Sequence, residues 1–323
     1  MHLLHALASR TALPLLAYRA AMPTKRVPIM QIRSLVVVAP SQNRYSAAME
    51  QAIDLATAVD ATVTVAILGS AGSDGKRVDI RARQKSLATD LLDRGVRINA
   101  EVVVLKPGVN ALVRLAKACT ADLLILDPAL VQADAGADFA LMLMQQAPCP
   151  VLSAQEQPIR SHGKLFVAAP ASCEDLDQIA LNTHVVAVAK AISQARKARM
   201  HLFTVYDQAA LLRHSKHYSL AEIPRYETLV AEVRGFAAQL GIPAVHHHLI
   251  VGACAHTLCA YANRCGYDLV VIASPLNARQ RETLSYLMNH LQCSLLVVNA
   301  NASDDRVANL RSPGLFDSLV SPA

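Results

Sequence analysis

Short aliphatic runs alternate with segments of helical spacing along most of the chain. In the first half the runs are SLVVVAP (34–40), ATVTVAIL (61–68), INAEVVVL (98–105), DLLILDP (122–128) and CPVLSA (149–154). In the second half they are KLFVAAP (164–170), MHLFTVYD (200–207), VHHHLIV (245–251), DLVVIASP (268–275) and CSLLVVNA (293–300). Near-continuous Val, Leu and Ile, without polar alternation, marks strands covered on both faces, as parallel sheets require. Between the strands, RYSAAMEQAIDLATAV (44–59) puts Ala48, Ala52, Ile53, Leu55 and Ala56 on one helical face. NALVRLAKAC (110–119) and HTLCAYANRC (256–265) show the same periodicity just before the fourth run of each half. Each half therefore reads βαβαβαβαβ, an α/β unit with a doubly wound sheet.

The second half restates the first. Pro40 and Pro170 stand 130 residues apart, Asp122 and Asp268 146, and Cys149 and Cys293 144. The expected organisation is a leader at 1–29, a first domain at 30–155, a linker at 156–163, a second domain at 164–300 and a loose tail at 301–323. The boundary falls in QEQPIRSHG (155–163), polar and carrying Pro and Gly. At 323 residues the chain has room for two such domains.

Composition narrows the functional classes. An apolar content of 53% with only 17% charged residues excludes a disordered chain. The net charge of +6 suggests nucleic acid until it is divided along the sequence. Residues 1–29 hold Arg10, Arg19, Lys25 and Arg26 and no acid, whereas residues 30–155 balance 12 basic with 12 acidic side chains. The domains are nearly neutral and the chain has no Trp, so nucleic-acid binding is not expected. Arg196, Lys197 and Arg199 end a helical segment, where cations complement the helix dipole. The leader MHLLHALASRTALPLLAYRAA is interrupted by His5, Arg10 and Pro14 and does not read as a membrane span. It is either a targeting-type peptide or an over-extended start ahead of Met22 or Met30. Seven cysteines, an odd number without regular spacing, argue against a disulfide framework and for a cytoplasmic protein.

Two clusters invite chemistry. His246, His247 and His248, with Cys254 and His256, have zinc-ligand character, but alternate strand residues face opposite ways and polar side chains also protect a sheet edge. No metal site is expected. Cys254, Cys259 and Cys265 lack the spacing of a zinc site, and no base held by a third group accompanies them. No catalytic residue is nominated, and the protein is expected not to be an enzyme.

The opening strands VVVAP and LFVAAP, the segment GACAHTLCAYANRCGYDLVVIAS, and the last strands APCPVL (147–152) and LQCSLLVV (291–298) resemble the universal stress protein family. The likeness is closest to its tandem, E-type branch and covers residues 32–299. It implies two tandem, doubly wound, parallel five-stranded sheets of order 3-2-1-4-5, an adenine nucleotide alpha hydrolase-like fold. Strands 1 and 4 then flank the switch point at which ligands bind. It also implies an internal pseudo-dimer paired through the strand 5 edges, with further homodimerisation left open, and a non-catalytic binding or regulatory role in a stress response.

Nucleotide-binding members of that family carry G-x2-G-x9-G-[S/T] after strand 4 and an acidic residue at the end of strand 1, so that bare backbone amides approach the phosphates. This sequence departs at each point. Asp127 stands where the first glycine would be in DPALVQADAGADFALMLMQQAPCP, Ala273 takes that place in the second half, and SPLNARQRETLSYLMNH after it has no glycine. Pro40 and Pro170 replace the strand 1 acid. Carboxylates aimed at a crevice repel phosphate, so no ATP and no cofactor are expected. In the second half Arg279 and Arg281 open a helix at the switch point, with Ser172, Ser274 and Asn277 as hydrogen-bonding groups for a small anionic ligand. The other reading makes the arginines solvated first-turn residues and Asn277 an N-cap. The alternative function is a nucleotide-responsive switch or weak ATPase that uses this altered loop.

Overall fold

A computed structural model describes residues 30–40, 46–68, 80–98, 103–105, 108–132, 136–168, 176–206, 246–251, 254–274 and 278–299, with 231, 234–235 and 237–238. The first half contributes β1 (Ser34–Pro40), α1 (Ala47–Val59), β2 (Thr62–Leu68), α2 (Ile80–Asp93), β3 (Arg97–Ile98), β4 (Val103–Leu105), α3 (Val109–Ala118), β5 (Leu123–Leu126), α4 (Pro128–Gln132), α5 (Gly136–Gln146) and β6 (Val151–Ser153). The second contributes β7 (Lys164–Ala168), α6 (Leu176–Arg196), β8 (Arg199–Tyr206), β9 (His247–Val251), α7 (Cys254–Cys265), β10 (Leu269–Ala273), α8 (Ala278–His290) and β11 (Ser294–Val298).

These strands form one sheet in the order β3-β2-β1-β5-β6-β11-β10-β7-β8-β9, with β4 also paired to β2. Each half thus has the expected 3-2-1-4-5 order, but the two sheets are continuous. Their junction is the antiparallel pair β6–β11, in which Val151 faces Val297, Leu152 faces Leu296 and Ser153 faces Leu295. All other pairings are parallel. The strand expected at 98–105 differs from a single run: it is two short pieces, β3 and β4, each paired with β2.

Alternation along each strand sends neighbouring residues to opposite faces, which makes two cores. Leu35, Val37, Ile125, Leu152, Leu165, Val167 and Leu296 join α1 and α6 on one side. Val36, Val38, Leu124, Leu126, Phe166, Val270 and Leu295 join α3, α5, α7 and α8 on the other. Both cores run across the junction, so the halves share their apolar burial. Helix α1 begins where Ser46 accepts a hydrogen bond from Met49 N at 3.2 Å, and ends at Asp60 in the left-handed region with φ 56°.

Polar groups stitch the junction as well. Gln51 of α1, 2% exposed, donates to Ser294 Oγ and to Gln155 O, each at 3.0 Å, and Gln155 N donates to Ser294 Oγ at 3.1 Å. Ser274 Oγ donates to Met144 O at 3.3 Å and Asn299 Nδ2 to Ala147 O at 2.9 Å, satisfying carbonyls at the end of α5 from the other half. Arg196 donates to Ile159 O and pairs with Asp54 at 2.9 Å, which gives this member of the basic cluster a structural task. A double-mutant cycle of Gln51→Leu and Ser294→Ala, followed by urea denaturation, is expected to give a coupling energy of about 1–2 kcal/mol. Strict additivity would show that the network does not join the halves.

Candidate ligand site at the switch points

Parallel strands whose connections leave in opposite directions open a crevice at their carboxyl ends. In the first half this lies between β1 and β5, where Val38 is paired with Leu126. Asp127 follows at once. Its N donates to Val38 O at 3.2 Å, its Oδ1 accepts from Ala129 N at 2.9 Å, and its carbonyl accepts from Leu130 N at 3.0 Å. The chain thereby turns straight from strand into helix α4. Asp127 is 2% exposed, and its Oδ2 is buried without a hydrogen-bond partner among the described residues.

A cavity of about 750 Å³ lies there, lined by Ser46, Ala47 and Glu50 of the α1 start, by Asp127, Pro128 and Ala129, by Gln155 to Pro158 of the linker, and by Leu291 and Gln292. Because β11 runs antiparallel to β6, the amino end of β11 meets the carboxyl end of β6 and brings Leu291 and Gln292 across the junction. Sequence reasoning found Asp127 but missed Glu50, Gln155, Glu156 and Gln292. Residues 155–158 carry only linker signals in sequence, and their proximity to Asp127 depends on how the two halves pair.

In the second half β7 and β10 flank the equivalent position, with Val167 paired to Val271. Ala273 ends β10 half-buried, Ser274 is buried against Met144 O, and α8 begins at Ala278. Arg281 is exposed in its first turn. Ser172, Pro170 and Asn277, and the side chains of Pro40 and Arg279, lie outside the described residues. Of the five proposed ligand groups in this crevice, the structure therefore describes Ser274, turned to the junction, and Arg281, on the surface.

The remaining clusters are placed as follows. His246 and His248 share a face with His201 of β8, with His201 Nδ1 3.1 Å from His248 Nε2 and the His201 and His246 rings stacked 4.6 Å apart. Strand β9 is the sheet edge. Among the described residues, no group of three or more His, Cys, Asp or Glu is arranged to hold a metal. Cys259 and Cys293 are buried, and burial pushes both thiols up, Cys293 to about 12. Burial also raises Cys119. Such thiols disfavour the thiolate a nucleophile needs. Among the described residues, no helix is long and apolar enough to cross a membrane.

Residues 177–299 match the model of the Universal stress protein family. No curated protein matches the chain. Among solved structures, a putative universal stress protein from Pseudomonas aeruginosa UCBPP-PA14 superimposes with a TM-score of 0.68 at 18% identity, over 86% of this chain and 98% of that one. A functionally unknown protein from Pseudomonas aeruginosa PAO1 gives 0.67 at 18% identity, over 86% and 97% of the two chains. A universal stress protein from Archaeoglobus fulgidus DSM 4304 gives 0.52 at 10% identity, over 85% and 98%. At these identities the likeness speaks for the fold, and it extends through both halves.

Proposed function

We propose that this chain, whose residues 177–299 match the model of the Universal stress protein family, is a tandem protein of that family's E-type branch that binds or regulates in a stress response without catalytic turnover and without the family's triphosphate site. The two domains are 30–155 and 164–300, joined by 156–163, and they form an internal pseudo-dimer in the cytoplasm. One observation carries the reading. The position after the fourth strand of the first half, where phosphate would meet bare amides, holds the buried carboxylate of Asp127, which has taken the Ala129 N–H for itself. A phosphate arriving there loses that donor and meets a like charge. In the second half, Ala273 and the glycine-free segment after it support the same conclusion, with Arg279, Arg281, Ser172 and Asn277 left as groups for a smaller anionic ligand.

The test is native mass spectrometry of the freshly purified protein, followed by thermal melting with MgATP. The expected result is no copurified nucleotide and an unchanged melting temperature, whereas a ligand at 100 times its Kd would add about 2.7 kcal/mol of stability. Saturable MgATP binding overturns the reading. If that binding were then lost on Arg279→Ala, the protein would be a nucleotide-responsive switch acting through its second half.

A further inference from the structure

We propose that the cavity of the first half receives an organic cation, an alkylammonium group that donates to the buried carboxylate of Asp127, with Glu156 at the rim as a second anionic contact. The inference rests on the proposed function in one respect: that this crevice is not a triphosphate site.

The first support is Asp127 itself. Its Oδ1 is engaged by Ala129 N, its Oδ2 is buried and has no hydrogen-bond partner among the described residues, and the residue lines the cavity. A buried acceptor left unmatched is unfavourable, and a charged one more so. A molecule bringing an N–H donor to this point gains a charge-assisted hydrogen bond that the described residues do not supply.

The second support is the sign of the charge. Glu50, Asp127 and Glu156 all line the cavity, and among the described lining residues none is basic. Arg94 neutralises Glu50 from outside, at 2.7 Å, which leaves Asp127 and Glu156. Two amides at the helix starts facing the cavity are already used, Met49 N by Ser46 and Ala129 N by Asp127. The charged side chains of the described lining are therefore all acidic.

The third support is size and donor geometry. A volume of about 750 Å³ falls in the range of small-molecule sites. No three His, Cys, Asp or Glu of the described residues are arranged for a metal, so the lining carboxylates do not form a coordination cage. Two anionic side chains lining one cavity, Asp127 and Glu156, suit a ligand with two cationic ends.

The experiment is isothermal titration of the full chain with 1,4-diaminobutane and with n-butylamine, with magnesium chloride and MgATP as separate titrants. Saturable one-site binding of the diamine, tighter than that of butylamine, is expected. Asp127→Asn, which keeps an oxygen for Ala129 N, should weaken it at least tenfold, Glu156→Gln several-fold, and Asp138→Asn on the exposed face of α5 not at all. Melting curves establish that each variant is folded, and if Asp127→Asn is not, Glu156→Gln decides. Absence of saturable amine binding overturns the inference, as does unchanged affinity in Asp127→Asn and Glu156→Gln. Magnesium that binds alone and displaces the diamine also overturns it, in favour of a metal site. Amine failure with no MgATP binding leaves the proposed function standing, whereas MgATP binding in this crevice removes both.

Discussion

Replacing Asp268 with alanine is expected to lower the unfolding free energy by about 3 kcal/mol in denaturant titration. Asp268 is 7% exposed, and its Oδ2 accepts from Lys164 N at 2.7 Å while its Oδ1 accepts from Arg160 Nε at 2.6 Å. Its own N–H donates to Lys164 O at 2.9 Å. One carboxylate thus ties the start of β10 to the start of β7. Without it the Lys164 N–H loses its acceptor in a closed environment, and that desolvation loss is the larger part of the effect. The ion pair contributes less, because Arg160 is 63% exposed. Arg160→Ala should accordingly cost under about 1 kcal/mol. The first half repeats the arrangement: Asp122 Oδ2 accepts from Arg33 N at 2.7 Å and Ser34 N at 3.0 Å. A Cβ at Gly163 would collide with the Asp268 carboxylate, which explains the glycine before β7. If Asp268→Ala unfolds within about 0.5 kcal/mol of the parent, the clamp is not a determinant of stability.

Asp122 and Asp268 show how far a sequence can be read here. Their spacing exposes the duplication, but their work of accepting amides from a strand about 90 to 100 residues earlier is visible only once strands 1 and 4 lie side by side. The strands themselves are legible because burial on both faces leaves little choice but Val, Leu and Ile. The opposite edge of the first half is less legible: INAEVVVL reads as one run, yet Ile98 and residues 103–105 pair with β2 in separate pieces. The junction is nearly silent in sequence. Gln51 and Ser294 are 243 residues apart, and a glutamine inside an amphipathic helix carries no sign that it is 2% exposed. For the same reason Asp127 could be picked out as a departure from a phosphate loop, whereas Glu50, Gln155 and Glu156 around it could not. His201 is a further case: its neighbours on β9 stand out as a His run, but a single His in MHLFTVYD does not announce that it joins them.

That cluster should make stability fall on mild acidification. His201 stacks on His246 at 4.6 Å and on His248 at 5.3 Å, with Phe203 and Tyr267 closing around it, and its Nε2 is buried without a partner among the described residues. Burial first, then the charges of His246, His248, Arg199 and Lys164, lowers its pKa to about 4. His248 is lowered by burial and by His246, and His247 by burial, His248 and Arg234. Each binds its proton less readily folded than unfolded. Above the unfolded value of about 6.5 both states are neutral and the cluster has no pH effect. Between pH 6.5 and about 4 the unfolded chain takes up protons that folded His201 refuses, so stability declines as pH falls and levels off below pH 4. With the ring only half-buried, screening reduces the effect to about 1–2 kcal/mol for His201. Urea denaturation at pH 7.5 and pH 4.5 measures it, and His201→Phe, which can continue the Phe166–Phe203 stack, should remove that share of the pH dependence. Hydrogen exchange adds location: amides of edge strand β9 should open in acid before those of central β1, since protonated imidazoles repel across β8 and β9. An unchanged pH profile in His201→Phe would leave the cluster as aromatic packing alone.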